Sequence, residues 1–157
     1  MNKRTYFDSY WGSGWPDENW LGRYFLTPQG RLDFFASGND SWGLKADGVD
    51  GTDRLPHLKG RIDVDLTIQG HPDAGILLFY HKTGAGRQIG FYSKGDLSRL
   101  HDRVRTAHDD LMPIGLFVPF ETAWKAIKEF MERDGALPTS IAWVASSDLP
   151  AGVFPPA

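Results

Sequence analysis

The clearest structural pattern in this chain is PFETAWKAIKEFMERDG, residues 119–135. Its large apolar side chains recur at intervals of three and four residues, which is the period of an α-helix with one buried face. Glu121 lies in the predicted first turn, where a negative charge is favourable, and Gly135 follows the last turn, as is common at helix ends. The stripe consists of Phe120, Ala123, Trp124, Ile127, Phe130 and Met131.

Residues 61–68 predict a sheet strand on which such a helix can pack. Polar and apolar residues alternate there without a break, so the apolar ones line one face of a half-buried strand. That face consists of Ile62, Val64, Leu66 and Ile68. Further strands are predicted over residues 41–46, 76–81, 88–93, 114–118 and 139–145.

An early hairpin is also predicted. Residues 23–26 and 31–35 fit two strands, and the Thr27-Pro28-Gln29-Gly30 sequence between them suits a type I turn. Residues 1–21 predict an irregular lead-in, because aromatic residues alternate there with Gly and Ser without a regular period. Residues 96–108 fit either a helix or a loop, and residues 148–157 form a Pro-rich tail.

These elements predict an α+β fold in a single domain spanning residues 1–157. We expect a mostly antiparallel sheet of about five to seven strands, with one main C-terminal helix packed on one face. One helix is too little to cover both faces of a parallel sheet. Hairpin-linked strands are the arrangement that remains.

Composition excludes several classes of function. The net charge of −3 argues against a general nucleic-acid binder. No apolar run approaches ~20 residues, so no membrane contact is expected. The absence of Cys excludes disulfides, thiolate nucleophiles and Cys-ligated zinc, and it favours a cytoplasmic location.

Residues with catalytic potential form no recognised motif. Asp63 and Asp65 lie ~6.5–7 Å apart on one strand face, which overlaps the carboxyl separation of an inverting glycosidase. His81 is a candidate general base at the end of a buried strand. The alternation also places both aspartates on the solvent face. We therefore expect no enzyme activity, metal or cofactor, and a hydrolase built on these three residues stays an alternative.

The last part of the chain carries a family pattern. A strand ends at Val118-Pro119, the helix has a late Phe130, and a turn with Pro138 precedes a strand that holds Trp143. Upstream, residues 92–96 (YSKGD) provide a Ser-x-Gly-Asp element. The pattern resembles a bacterial immunity-protein family of polymorphic toxin systems, which is often paired with nucleic-acid deaminase toxins. The resemblance implies that the fold is held by Gly95, Asp96, Pro119, Phe130, Pro138 and Trp143.

This resemblance implies inhibition of a cognate toxin by direct protein contact, inside the bacterial cytoplasm. Toxins that act on nucleic acid need basic clefts, so the expected partner is basic and the inhibitor itself contacts no nucleic acid. An acidic surface would attract such a partner, although a solvated loop is the alternative interpretation of acidic residues. The expected contact residues come from the most acidic stretch of the chain: Asp40, Trp42, Asp47, Asp50 and Asp53.

A different function class uses the aromatic lead-in. The Trp and Tyr residues between positions 6 and 20 could form a platform for sugar rings, as in a small ligand- or glycan-binding module. Packing of these rings over the core edge is the competing expectation.

Overall fold

The computed structural model describes residues 1–7 and 10–155, without the side chains of residue 7 and of residues 10–13. The strands in this part are β1 (Asn2–Phe7), β2 (Tyr10–Ser13), β3 (Ser41–Asp47), β4 (Asp63–His71), β5 (Gly75–Gly84), β6 (Arg87–Ser93), β7 (Arg103–Arg105), β8 (Leu111–Pro113), β9 (Phe117–Val118) and β10 (Trp143–Ala145). The helices are α1 (Glu18–Leu26), α2 (Pro28–Phe34) and α3 (Phe120–Glu132). Among these described helices, none is long and apolar enough to cross a membrane.

Antiparallel pairing organises the strands into one main sheet. Its order is β10-β6-β5-β4-β3-β1-β2, with β9 paired to the start of β5, and β7 and β8 form a separate small sheet. The alternation predicted over residues 61–68 lies on β4, where Val64, Leu66 and Ile68 are buried. The predicted α+β class is therefore confirmed.

Helix α3 covers the face of the sheet that carries these buried side chains. Every residue of the predicted stripe is buried in the same core as the inward side chains of β3, β4 and β5. The helix ends before Gly135, whose φ of +89° is one that L side chains rarely adopt. An added Cβ there would lie 2.7 Å from Cγ2 of Val64. The Tyr80 hydroxyl donates to the Gly135 carbonyl at 2.7 Å and so joins β5 to the end of α3.

Two helices occupy the region predicted as an early hairpin, so that prediction was wrong. The Asp17 carboxylate accepts a backbone N–H of the first turn of α1 and caps it. The Thr27 hydroxyl accepts from the Gly30 N–H and donates to the Arg23 carbonyl, both at 2.9 Å. Thr27 thereby ends α1 and begins α2, and Pro28 occupies the first helical position, which needs no N–H donor.

The irregular lead-in predicted over residues 1–21 is also wrong in part. Strands β1 and β2 form a hairpin at the edge of the main sheet, and β1 pairs with β3. Because aromatic and glycine residues share this hairpin, it lacks the apolar alternation that marks β4. Trp15 packs on the core with its ring centroid 5.7 Å from that of Phe130, and Trp20 is half-buried on the same core.

The opposite face of the sheet has a smaller apolar cluster of its own. Residues 97–99 form a 3₁₀ turn and β7 follows, so residues 96–108 contain no α-helix. The predicted strand over 114–118 is a 3₁₀ turn followed by the two residues of β9. Residues 148–155 of the Pro-rich tail fold back over this face, where Val153 is buried and its carbonyl accepts from Arg103.

The last predicted strand is shorter than expected, because Glu129 of α3 holds the residues before it. The Glu129 carboxylate accepts the backbone N–H of Thr139 at 2.6 Å and that of Ser140 at 2.9 Å. Arg133 also donates to it at 2.9 Å. Only residues 143–145 then pair with β6. Burial alone would raise the pKa of Glu129, but these hydrogen bonds outweigh burial and lower the pKa to about 2.

This environment predicts a pH-dependent contribution to stability. Since the pKa of Glu129 is lower in the folded chain than its ordinary 4.5, the contribution is present above that pH and is lost as pH falls towards about 2. Glu129→Gln should lower the free energy of unfolding at pH 7 by about 1–2 kcal/mol. Its difference from wild type should vanish over that acid range in urea titrations.

Glu132→Gln is the matched control, because Glu132 lies in the same helix and its exposed carboxylate pairs with Lys128 and interacts with Glu18 without accepting from the chain after α3. This variant should stay within ~0.5 kcal/mol of wild type. A Glu129→Gln difference that stays constant down to pH 2 would contradict the assigned role of the carboxylate.

Candidate functional site

Two of the five expected toxin contacts lie inside the molecule. Trp42 is only 2% exposed and stacks on Phe34 with ring centroids 3.9 Å apart. Asp40 is 4% exposed, and its Oδ2 accepts the Ala107 N–H at 2.7 Å. Both residues hold the fold and are not at the surface. The alternation over residues 41–46 already indicated this for Trp42, which shares a strand face with Leu44.

The other three expected contacts are each paired with a cation of the same chain. Asp47 accepts from Arg4 at 2.7 Å and is mostly covered. Asp50 pairs with Lys82 at 2.7 Å, and Asp53 lies 3.5 Å from the Met1 amino group. The side chains of Asp50 and Asp53 are half exposed or more. Only these two remain available to a partner, and their pairs are of the exposed kind that contributes little to stability.

The Ser-x-Gly-Asp element over residues 93–96 begins with a buried serine. Ser93 is fully buried at the end of β6, and its hydroxyl accepts the Leu78 N–H of β5 at 2.9 Å. The same hydroxyl donates to the Leu116 carbonyl at 2.6 Å. One side chain thus joins two strands of the sheet to the turn before β9.

The next residues of the motif let two backbone segments touch. The Gly95 N–H donates to the Gly115 carbonyl at 3.0 Å. A Cβ on Gly95 would lie 2.3 Å from the Phe117 carbonyl oxygen, so no other residue fits there without a shift of the backbone. The Asp96 carboxylate caps the 3₁₀ turn by accepting from Ser98. These hydrogen bonds from Ser98 lower the pKa of Asp96.

The C-terminal motif residues also form scaffold contacts. Pro119 precedes α3 and Phe130 is fully buried on its stripe. The Trp143 indole N–H donates to the Pro138 carbonyl at 2.8 Å, and its ring lies edge-on to Tyr80. Trp143 is half-buried at the margin of the core. Every motif residue that the resemblance assigned to the fold therefore makes a contact within it.

A family model described as immunity protein Imm1 matches residues 38–145, more than two thirds of the chain. The chain belongs to the Imm1 family of immunity proteins. A search of curated proteins and a search of solved structures each gave no match. The matched span contains β3 to β10 and α3, so it includes the motif residues and most of the core, whereas Leu21, Phe25 and Phe34 of α1 and α2 lie outside it.

Asp63, a candidate catalytic residue, is a loop clamp in this Imm1 protein. Its carboxylate accepts from Arg61 at 2.9 and 3.0 Å and from the Gly48 N–H at 2.9 Å, and it contacts His57 at 3.2 Å. Burial alone would raise the pKa of Asp63, but these hydrogen bonds lower it. The clamp closes both ends of the loop over residues 48–62.

Asp65 and His81 lie opposite each other on β4 and β5, on the sheet face away from α3. Asp65 pairs with Lys45 at 3.5 Å, and burial raises its pKa. The His81 ring stacks on Phe79. In the described residues, no three His, Asp or Glu side chains come together as a metal-binding group. The sheet thus places Asp65 opposite His81, whereas Asp63 binds the two ends of the loop over residues 48–62.

Some of the aromatic residues proposed for a glycan platform pack on the core, and others have side chains that the structure does not describe. Trp15 and Trp20 pack on the core, as the packing interpretation predicted. The Lys45 ammonium lies 5.5 Å from the Tyr6 ring centroid. Tyr10 and Trp11 are among the residues whose side chains fall outside the description, so that part of the platform hypothesis stays a prediction.

One surface feature that sequence reasoning missed is a cleft at the end of the β5–β6 hairpin. It has a volume of about 580 Å³. We call it the hairpin cleft, and it is lined by His57, Leu58, Gly60, Arg61 and residues 83–88. The two walls are more than 20 residues apart in sequence. No pattern in the sequence indicates that these two walls meet.

The buried serine gives a direct test of the motif's scaffold role. Ser93→Ala leaves the Leu78 N–H and the Leu116 carbonyl without their buried partner, so the free energy of unfolding should fall by about 1–3 kcal/mol. Urea unfolding measured by Trp fluorescence provides the value. Ser147→Ala is the control, because Ser147 is exposed in a 3₁₀ turn, and it should change stability by less than ~0.5 kcal/mol. Equal stability of both variants would contradict the scaffold role.

Proposed function

We propose that this Imm1 protein binds a cognate toxin of its own cell and inhibits it by protein–protein contact, without catalysis. The observation that carries the proposal is the family match over residues 38–145. Its motif residues serve the fold, so the function resides in the surface around them. An interface of this kind typically buries ~1,200–2,000 Å² in total.

The absence of catalysis is supported by the roles of the ionisable groups. Asp63 is occupied by Arg61 and a backbone N–H, and Asp65 by Lys45. His81 stacks on a neighbouring ring. Each candidate therefore has a structural partner, and none of the three lines the hairpin cleft.

The proposed partner is a toxin that modifies nucleic acid and carries a basic active-site cleft. Asp50 and Asp53 are the proposed contacts, and we call residues 47–53, in which they lie, the acidic loop. Their present partners, Lys82 and the Met1 amine, are held by exposed pairs that a toxin cation can replace at little cost. We place this encounter in the bacterial cytoplasm, where a toxin could reach its target.

The proposal is tested with the toxin encoded beside the gene for this chain. Cells that produce the toxin should grow only when this chain is produced with it. In vitro, toxin activity should fall in proportion to added chain and reach zero near one chain per toxin, because inhibition requires occupancy. Protection by far less than one equivalent would indicate catalysis, and no protection would refute the proposal.

The acidic contact makes a separate prediction. Asp50→Lys with Asp53→Lys should slow association with the toxin about tenfold at low salt and flatten its salt dependence, since steering by opposite charges is lost. Asp110→Lys with Asp148→Lys is the control for net charge, because both residues are exposed elsewhere on the surface. Stopped-flow association rates that are the same for both double variants would exclude this loop as the contact.

A further inference from the structure

We propose that the hairpin cleft is a second part of the toxin interface and takes an acidic segment of the toxin that also presents an apolar side chain. This inference rests on the proposed function and specifies its surface. It predicts an interface of mixed sign, in which the acidic loop meets basic groups and the neighbouring cleft meets carboxylates.

Exposed aliphatic side chains lie in the cleft and beside it. Leu58, on one wall, is 90% exposed, and Leu55 in the same loop is 44% exposed. Ile89, which follows the hairpin turn, is 43% exposed. Leu58 lines the cleft, Leu55 belongs to the same loop, and Ile89 lines an adjoining pocket together with Arg87. Single exposed leucines are common, but three exposed aliphatic residues in and beside one cleft favour a surface that a partner covers. A partner side chain seated there would lose contact with water together with Leu58.

The loop and the hairpin that form the cleft also carry cations that have no acidic partner in the described part of the chain. Residues 54–62 and 74–95 contain no Asp or Glu. Arg61 and Lys82 are paired with Asp63 and Asp50. The remaining cations of this surface are exposed and form no ion pair within residues 1–7 and 10–155: Arg54, Lys59 and Arg87. Carboxylates of a partner are the groups that would complete them.

The cleft has a fixed shape, which a docking surface requires. The hairpin turn contains Gly84 at φ +145°, and a Cβ there would lie 2.6 Å from the Arg61 carbonyl oxygen. The two walls therefore touch at this glycine. Asp63 holds the loop wall through Arg61 and Gly48. A partner then meets a preformed surface and loses little free energy to ordering it.

These features favour a protein over a nucleic acid as the occupant. Single-stranded nucleic acid is bound by aromatic platforms together with cations, and the cleft lining contains no Phe, Tyr or Trp. Exposed Leu58 and Ile89 would gain nothing from a phosphate backbone. The Asp50–Lys82 pair links the acidic loop to the hairpin, so one partner can span both surfaces.

The test reverses the charge of Arg87, which lines the cleft, and of Lys59, which lies between the lining residues Leu58 and Gly60, and it makes matched changes at a distant site. Lys59→Glu with Arg87→Glu should weaken toxin binding at least tenfold in calorimetric titration at low salt. Lys94→Glu with Lys125→Glu gives the same change in net charge at exposed cations that lie outside the cleft, and it should bind within about twofold of wild type. Leu58→Asp should weaken binding about tenfold, whereas Leu32→Asp, at an exposed leucine of α2, should not.

Each result has one consequence. If wild type does not bind the toxin, the proposed function fails. If wild type binds and the cleft variants bind equally well, only the cleft assignment is overturned. If Leu32→Asp alone weakens binding, the interface lies at α2. Binding of a labelled 20-nucleotide RNA or DNA by wild type, lost in Lys59→Glu with Arg87→Glu, would overturn the choice of a protein occupant.

Discussion

The packing of α3 on one face of the antiparallel sheet is the interaction on which the rest of the molecule depends. The apolar stripe of α3 shares one core with the inward side chains of β3, β4 and β5 and with Leu21, Phe25 and Phe34 of α1 and α2. The end of the helix is fixed by the hydrogen bond from Tyr80 to Gly135. Ser93 adds a second link, because its hydroxyl joins β5 and β6 to the turn before β9. The surface that we propose for recognition lies in the loops at the sheet margin, outside these contacts.

This division explains why the residues that identify the family are not the residues proposed to recognise a partner. Gly95 is constrained because a Cβ there would lie 2.3 Å from the Phe117 carbonyl oxygen. Phe130 is constrained because it is fully buried. Leu58 and Arg87 are exposed and touch little, so the fold leaves their identity free. The scaffold and the proposed contact surface therefore place separate demands on the sequence. Mixed charges on that surface would set the orientation of the partner as well as its affinity.

Local periodicity predicted the parts of the fold where one face is buried, namely β4 and α3. It failed over residues 23–35, because the capping chemistry of Asp17 and Thr27 outweighed a plausible turn sequence. Trp42 was assigned to a contact by its acidic neighbours, although its own strand alternation pointed inward. The hairpin cleft could not be predicted, since its walls, residues 57–61 and 83–88, meet only through the pairing of the start of β4 with the end of β5.

The central claim is that a preformed surface at the loop over residues 54–61 and the hairpin end contacts the toxin while the scaffold stays unchanged. Amide hydrogen exchange of the chain, free and bound to its toxin, tests this most directly. The account predicts slower exchange in residues 50–61 and 82–89 on binding, with unchanged exchange in α3 and β4. Protection confined to α2 and the start of α3, or loss of protection across the sheet, would contradict it.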